Sequence, residues 1–186
     1  MRDCELNFRI VDDTNYLSTL AVDELNRQGD PEGFFEIKGD SFTYGYYHNN
    51  PLYDGEEGEC LIAIWLEFLC KMLINILSSH HIAIKDIEKT DSWLGFELTG
   101  KSSLSINILK GGENISKPMI LGYSQDLVKK DDLYLTVSLN SFFRAVVDAI
   151  NKYLKTLLII NSNYSKTQRY NYLKKLNEEV IQTYNA

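Results

Sequence analysis

A chain of 186 residues, 44% apolar and with three prolines, can bury one sizeable core and has no Pro/Gly/Ser-rich linker to divide it, so a single domain over residues 1–186 is expected. Its formal charge of −7 argues against a sequence-independent nucleic-acid binder, which must neutralise phosphates with clustered Lys and Arg. The charge is also sorted along the chain. Residues 1–60 hold 14 Asp/Glu against 4 Lys/Arg, residues 61–140 hold 9 against 8, and residues 141–186 hold 3 against 7.

Taken in order, Leu6, Phe8 and Ile10 alternate with polar neighbours and predict a first strand, and Tyr16 to Arg27 reads as a short helix. The opening Met1-Arg2-Asp3 has no apolar h-region and does not read as a signal peptide. Phe35–Lys38, Gly39-Asp40 and Ser41–Tyr47 predict a hairpin near 34–47, with Gly-Asp as the two-residue turn that matches strand twist. A core helix is expected near 59–79. From Leu61 to Leu77, 14 of 17 residues are apolar, yet Glu67, Lys71 and Asn75 recur at a spacing of four and mark one wet stripe, which suits a core helix better than a membrane span. Glu56, Glu57 and Glu59 precede it, where they would complement the helix dipole.

Three strands near 82–109 (Ile82–Glu88, Trp93–Thr99 and Leu104–Leu109) are joined by turn-forming Asp91-Ser92 and Gly100-Lys101, and Leu133–Leu139 alternates as a further half-buried strand. Asn140 or Ser141 would cap a helix near 141–162 that carries Phe142, Val146, Ile150, Tyr153, Leu157 and Ile160 on one face. Beyond the polar break at Asn161–Asn163, a helix near 165–184 presents Tyr170, Leu173, Leu176, Val180 and Tyr184. The expected fold class is α+β: an antiparallel sheet with a long apolar core helix and two C-terminal helices packed on it.

Possible chemical sites each have a simpler reading. His80 and His81 stand where the long helix should end and suit its last carbonyls, and their spacing does not match a metal pair. The Asp54-Gly55-Glu56-Glu57-Gly58-Glu59 run lacks the ligand alternation of a calcium loop, and Lys110-Gly111-Gly112-Glu113 opens no phosphate-binding helix. No metal or cofactor site is expected. Lys166, Arg169, Lys174 and Lys175 read as the outer face of the last helix. Cys4, Cys60 and Cys70 are odd in number and widely spaced, which fits buried reduced thiols and points to the cytoplasm.

The acidic third also concentrates aromatics. Tyr44, Tyr46, Tyr47 and Tyr53 run into Asp54, Glu56, Glu57 and Glu59, a composition suited to docking on a basic partner because carboxylates steer encounter while rings supply rigid contact area. Those eight residues are the expected contact surface, with Asp12 and Asp13 as outer steering charges.

The layout resembles the small immunity proteins that bacteria encode beside contact-dependent or polymorphic toxins. The matching pieces are the hairpin Phe35-Glu36-Ile37 to Tyr44-Gly45-Tyr46, the acidic lead into the Leu61–Leu77 helix, the three-strand meander with Trp93, the Val137-Ser138-Leu139 strand and the Phe142-Phe143 helix. The resemblance spans about residues 33 to 182. It implies a cytoplasmic, non-enzymatic protein that neutralises a cognate basic toxin, such as a nuclease, by covering its active site or substrate channel, with no direct nucleic-acid or membrane partner. Two alternatives stay open: a small hydrolase using His48 with Asp54, and an adaptor with no toxin partner.

Overall fold

The computed structural model describes residues 4–40, 42–58, 60–100, 102–111, 117–122 and 127–185. Among the described residues, eight strands and five α-helices follow the order β1 (Glu5–Ile10), α1 (Thr14–Thr19), α2 (Val22–Gln28), β2 (Gly33–Gly39), β3 (Phe42–Tyr46), α3 (Ile62–Ser79), β4 (His81–Lys85), β5 (Ser92–Thr99), β6 (Ser103–Lys110), β7 (Met119–Leu121), β8 (Val128–Ser138), α4 (Leu139–Ile160) and α5 (Gln168–Asn185). A short 3-10 segment, Ser162–Lys166, joins the last two helices. The α+β class holds, but the strands form two antiparallel sheets in place of the one expected: β1-β2-β3 and β7-β4-β5-β6-β8.

The apolar patterns dictate how these layers meet. Phe8 pairs with Phe35 and Ile37 with Tyr44 in the small sheet, and all four side chains are buried. Ile82 and Ile84 of β4, Leu94 and Phe96 of β5, and Leu104 and Ile106 of β6 supply the matching face of the large sheet. Helices α3 and α4 touch strands of both sheets and so close a single large core, while α5 lies on α3 and α4. Phe8 meets Tyr153 edge-on at 5.7 Å, and Phe96 meets Phe142 at 5.8 Å, so α4 bridges the two sheets through aromatic contacts.

By length and composition α3 could cross a membrane, but ten of its residues are buried inside the fold, including Leu66, Leu69, Cys70, Met72 and Leu73 at 0% exposure. Its polar stripe is less wet than its spacing predicts. Glu67 is hydrogen-bonded by Lys71 and by Arg169 of α5, and Arg169 also binds Asp30 at 2.7 Å. Arg169 therefore ties the last helix to α3 and to the segment before β2. Lys166, Lys174 and Lys175 do face solvent as expected.

Several boundaries move for local reasons. Leu20 turns extended, and the backbone N–H of Ala21 donates to the Glu24 carboxylate at 2.8 Å, so the expected first helix becomes two. Gly39 pairs with Phe42 as the last residue of β2, so it belongs to the strand and not to the turn, and Asp40 follows at φ 40°. Strand β8 runs straight into α4, whose cap is Ser138, its hydroxyl accepting from the Ser141 N–H, and neither Asn140 nor Ser141. Strand β4 ends at Lys85 and not at Glu88, and β7 has no counterpart among the expected elements. His80 closes α3 in the left-handed conformation at φ 61°, while His81 begins β4.

Candidate functional site

The acidic segment between β3 and α3 folds back as an anchored loop. Arg9 of β1 donates to the backbone carbonyls of Asn50 (2.6 Å) and His48 (3.3 Å). The Glu56 N–H closes a turn on the Tyr53 carbonyl at 3.0 Å, with Gly55 at φ 79° supplying the positive-φ position. The Glu56 carboxylate accepts from the Tyr53 N–H at 3.0 Å and lies 2.8 Å from His48 Nε2. That backbone N–H, followed by the His48 ring, holds the Glu56 carboxyl below its ordinary range. Further along, Gly33 and Cys60 exchange two backbone hydrogen bonds at 3.0 Å, and Gly58 crosses so close that a Cβ there would sit 2.5 Å from the Gly33 nitrogen.

Between this loop, the small sheet and the segment after β4 lies a cavity of about 550 Å³. One wall is aromatic. Trp65 of α3 stacks on Phe35 at 5.9 Å and meets Tyr44 edge-on at 5.6 Å, while Tyr46 packs edge-on against Phe34 at 5.2 Å. The Asp86–Lys89 turn forms the adjoining wall. Asp86, 1% exposed, accepts from the Tyr44 hydroxyl at 2.6 Å and pairs with Lys89 at 3.1 Å. Burial, reinforced by the Asp86 hydrogen bond, pushes the Tyr44 phenol far up, so it remains a donor. Burial likewise raises Glu88, opposed by donation from the Cys60 thiol and the Trp65 indole. The Cys60 thiol is itself raised by burial and then by Glu88, so it stays protonated and a poor nucleophile. Burial also pushes Cys4 and Cys70 up to about 12, and all three cysteines are unpaired.

The expected contact residues separate into two groups. Tyr46 (58% exposed), Tyr53 (72% exposed), Asp54 and Glu57 stand free at the surface, with Leu52 beside them. Tyr44, by contrast, is a buried wall residue, because it is paired with core Ile37 and bound to Asp86. Tyr47 is half-buried and donates to Asn49, and Glu56 is committed to His48. Asp12 accepts from the Glu32 N–H at 2.9 Å, and Asp13 caps α1 by accepting from Asn15 and Tyr16; neither lines the cavity, so both serve local structure. Glu59 lies outside the described residues. Glu56 and Glu57 lie outside the first turn of α3, which starts at Ile62 and contains no acid.

The carboxylate beside His48 is Glu56, not Asp54, which instead occupies the loop turn with Gly55. His48 Nδ1 is buried without a hydrogen-bond partner among the described residues, and the Phe34 and Tyr46 rings flank the imidazole at 5.0 and 5.5 Å. No group of three or more His, Cys, Asp or Glu is placed to hold a metal among the described residues. Sequence reasoning misses Asp86, Glu88, Lys89 and Trp65. The run of charge from Asp86 to Lys89, directly before the Asp91-Ser92 turn, is the available signal for the first three, but the alternation of Ile82 and Ile84, with Ile87 close behind, hides it inside an overlong strand. Comparison with protein families, curated proteins and solved structures yields no match.

Proposed function

We propose that the chain is a toxin-immunity-type binding protein that acts in the cytoplasm and holds a basic protein, such as a nuclease, against the rim formed by Tyr46, Tyr53, Asp54 and Glu57. The observation that carries this reading is the contrast in how side chains are used. Neighbouring polar groups are committed to internal bonds (Tyr44 to Asp86, His48 to Glu56), whereas Asp54 and Glu57 form no ion pair among the described residues and sit beside two exposed tyrosines. Unpaired carboxylates steer a basic partner at long range, and rigid rings add contact area at low entropic cost. A cleft that attracts phosphates would attract this rim, and inhibition would then require no chemistry. Three buried, unpaired thiols suit a reducing compartment.

Co-expression with the product of the adjacent upstream reading frame tests the proposal. A basic partner should co-purify, and the Asp54→Asn/Glu57→Gln variant should associate about 3- to 30-fold more slowly at low salt, with a shallower salt dependence and an unchanged melting temperature. An unchanged association rate and salt slope would remove the rim from the docking surface.

A further inference from the structure

The cavity behind the rim has the composition of a site for a cationic side chain. Among the described residues four carboxylates line it, Glu56, Glu57, Asp86 and Glu88, against a single ammonium, that of Lys89. Aromatic faces of Tyr44, Tyr46 and Trp65 complete the walls. An independent feature shows what such a site attracts: the chain's own Lys89 rests there, its Nζ 3.1 Å from Asp86 Oδ2 and 5.3 Å from the centre of the Tyr44 ring. Ammonium between a carboxylate and an aromatic face is the geometry of cation–π recognition. Lys89 fills the position loosely, since its side chain is 57% exposed and hangs from a surface turn. A volume of about 550 Å³ leaves room for a second, larger cationic side chain.

We propose that this cavity is a subsite for an arginine side chain of the basic partner, whose guanidinium displaces the Lys89 ammonium from Asp86 and Tyr44 and is held between Glu57 and Glu88. Its biological occupant rests on the reading of a basic partner given above; the cation chemistry does not. Arginine fits better than lysine because a planar guanidinium stacks on rings and bridges two carboxylates at once. Lys89 then acts as a built-in competitor that caps the buried Asp86 until the partner arrives.

The test uses the isolated full chain and N-acetyl-arginine methylamide, with the citrulline analogue as a neutral isostere, followed by the Trp65 indole and Tyr46 signals in nuclear magnetic resonance titrations. The arginine probe should shift Trp65 and Tyr46 saturably at millimolar concentrations, and citrulline should not. Glu57→Gln/Glu88→Gln should weaken binding by about fivefold or more, and Lys89→Ala should tighten it by about threefold or more, since the first removes attraction and the second removes the competitor. Asp86 keeps the Tyr44 hydroxyl and the Glu88 N–H as donors when Lys89 is replaced, so the fold should stay intact, and a thermal melt of Lys89→Ala alongside the titration keeps the test decisive. Equal response to citrulline, shifts confined to residues outside the cavity, no saturable shift, or a Lys89→Ala variant that binds no more tightly would each overturn the subsite. The titration needs no partner protein, so its failure overturns the subsite alone, whereas failure of co-purification overturns the docking reading alone.

Discussion

Leu69→Asp is expected to unfold the chain or drive it to aggregate. Leu69 is 0% exposed within the layer that α3 forms between the sheets and α5, so an aspartate there would bury an unpaired charge. That costs on the order of 3–5 kcal/mol, a large share of the stability of a domain this size. Lys71→Ala, two residues on, is the control. The Lys71 side chain is 40% exposed and its pair with Glu67 is backed by Arg169, so its loss should cost only about 0.5–1 kcal/mol. Thermal melts of the two variants check the contrast; a tolerated Leu69→Asp beside a crippling Lys71→Ala would invert the assignment of core and surface on α3.

Arg169→Ala should be the more damaging of the charge substitutions, at about 2 kcal/mol after discounting for a side chain that is 30% exposed. It removes the cation shared by Asp30 and Glu67 and leaves two largely covered carboxylates repelling one another. The loss has a defined pH dependence. Burial would raise Glu67, but donation from Lys71 and Arg169 outweighs it and holds the carboxyl below its ordinary value. Its stabilisation is therefore present above the ordinary Glu value and is lost as pH falls through the lower folded value. Asp30 runs the other way: burial raises it and Arg169 only partly compensates, so its penalty grows as pH rises past the ordinary Asp value. Without Arg169, the Glu67 gain shrinks and the Asp30 penalty deepens. The gap in stability between wild type and variant should be widest near neutral pH and narrow in acid; urea melts at several pH values measure it, and a gap that widens on acidification would contradict the network.

What is legible in the sequence follows from which interactions are local. The periodicity of Phe142, Val146, Ile150 and Tyr153 announces a buried helix face whatever the tertiary context, and all four are buried. Alternation over β4, β5 and β6 similarly predicts a meander, which the pairing bears out. Long-range pairing is different. That the small sheet and the large one are separate depends on strand partners tens of residues apart, and no periodicity carries that information. The same limit divides the candidate site. The exposed Tyr53, Asp54 and Glu57 are visible as a charged aromatic loop, but Tyr44 becomes a wall residue only because Asp86, 42 positions away, meets its hydroxyl. Glu67 departs from expectation for a like reason: its spacing marks a polar stripe, while its cover comes from Arg169, 102 positions on.

The central claim, that the rim of Tyr46, Tyr53, Asp54 and Glu57 is the docking face, is tested most directly by the hydrogen-exchange footprint of the complex with the co-purified basic partner. Residues 46–58, joined by the Asp86–Lys89 turn if the cavity takes part, should gain protection on binding, with little change along α5. Protection confined to Lys166 and the outer face of α5 around Lys174 and Lys175, with residues 46–58 exchanging as in the free chain, would place the interface on the basic end and contradict the account.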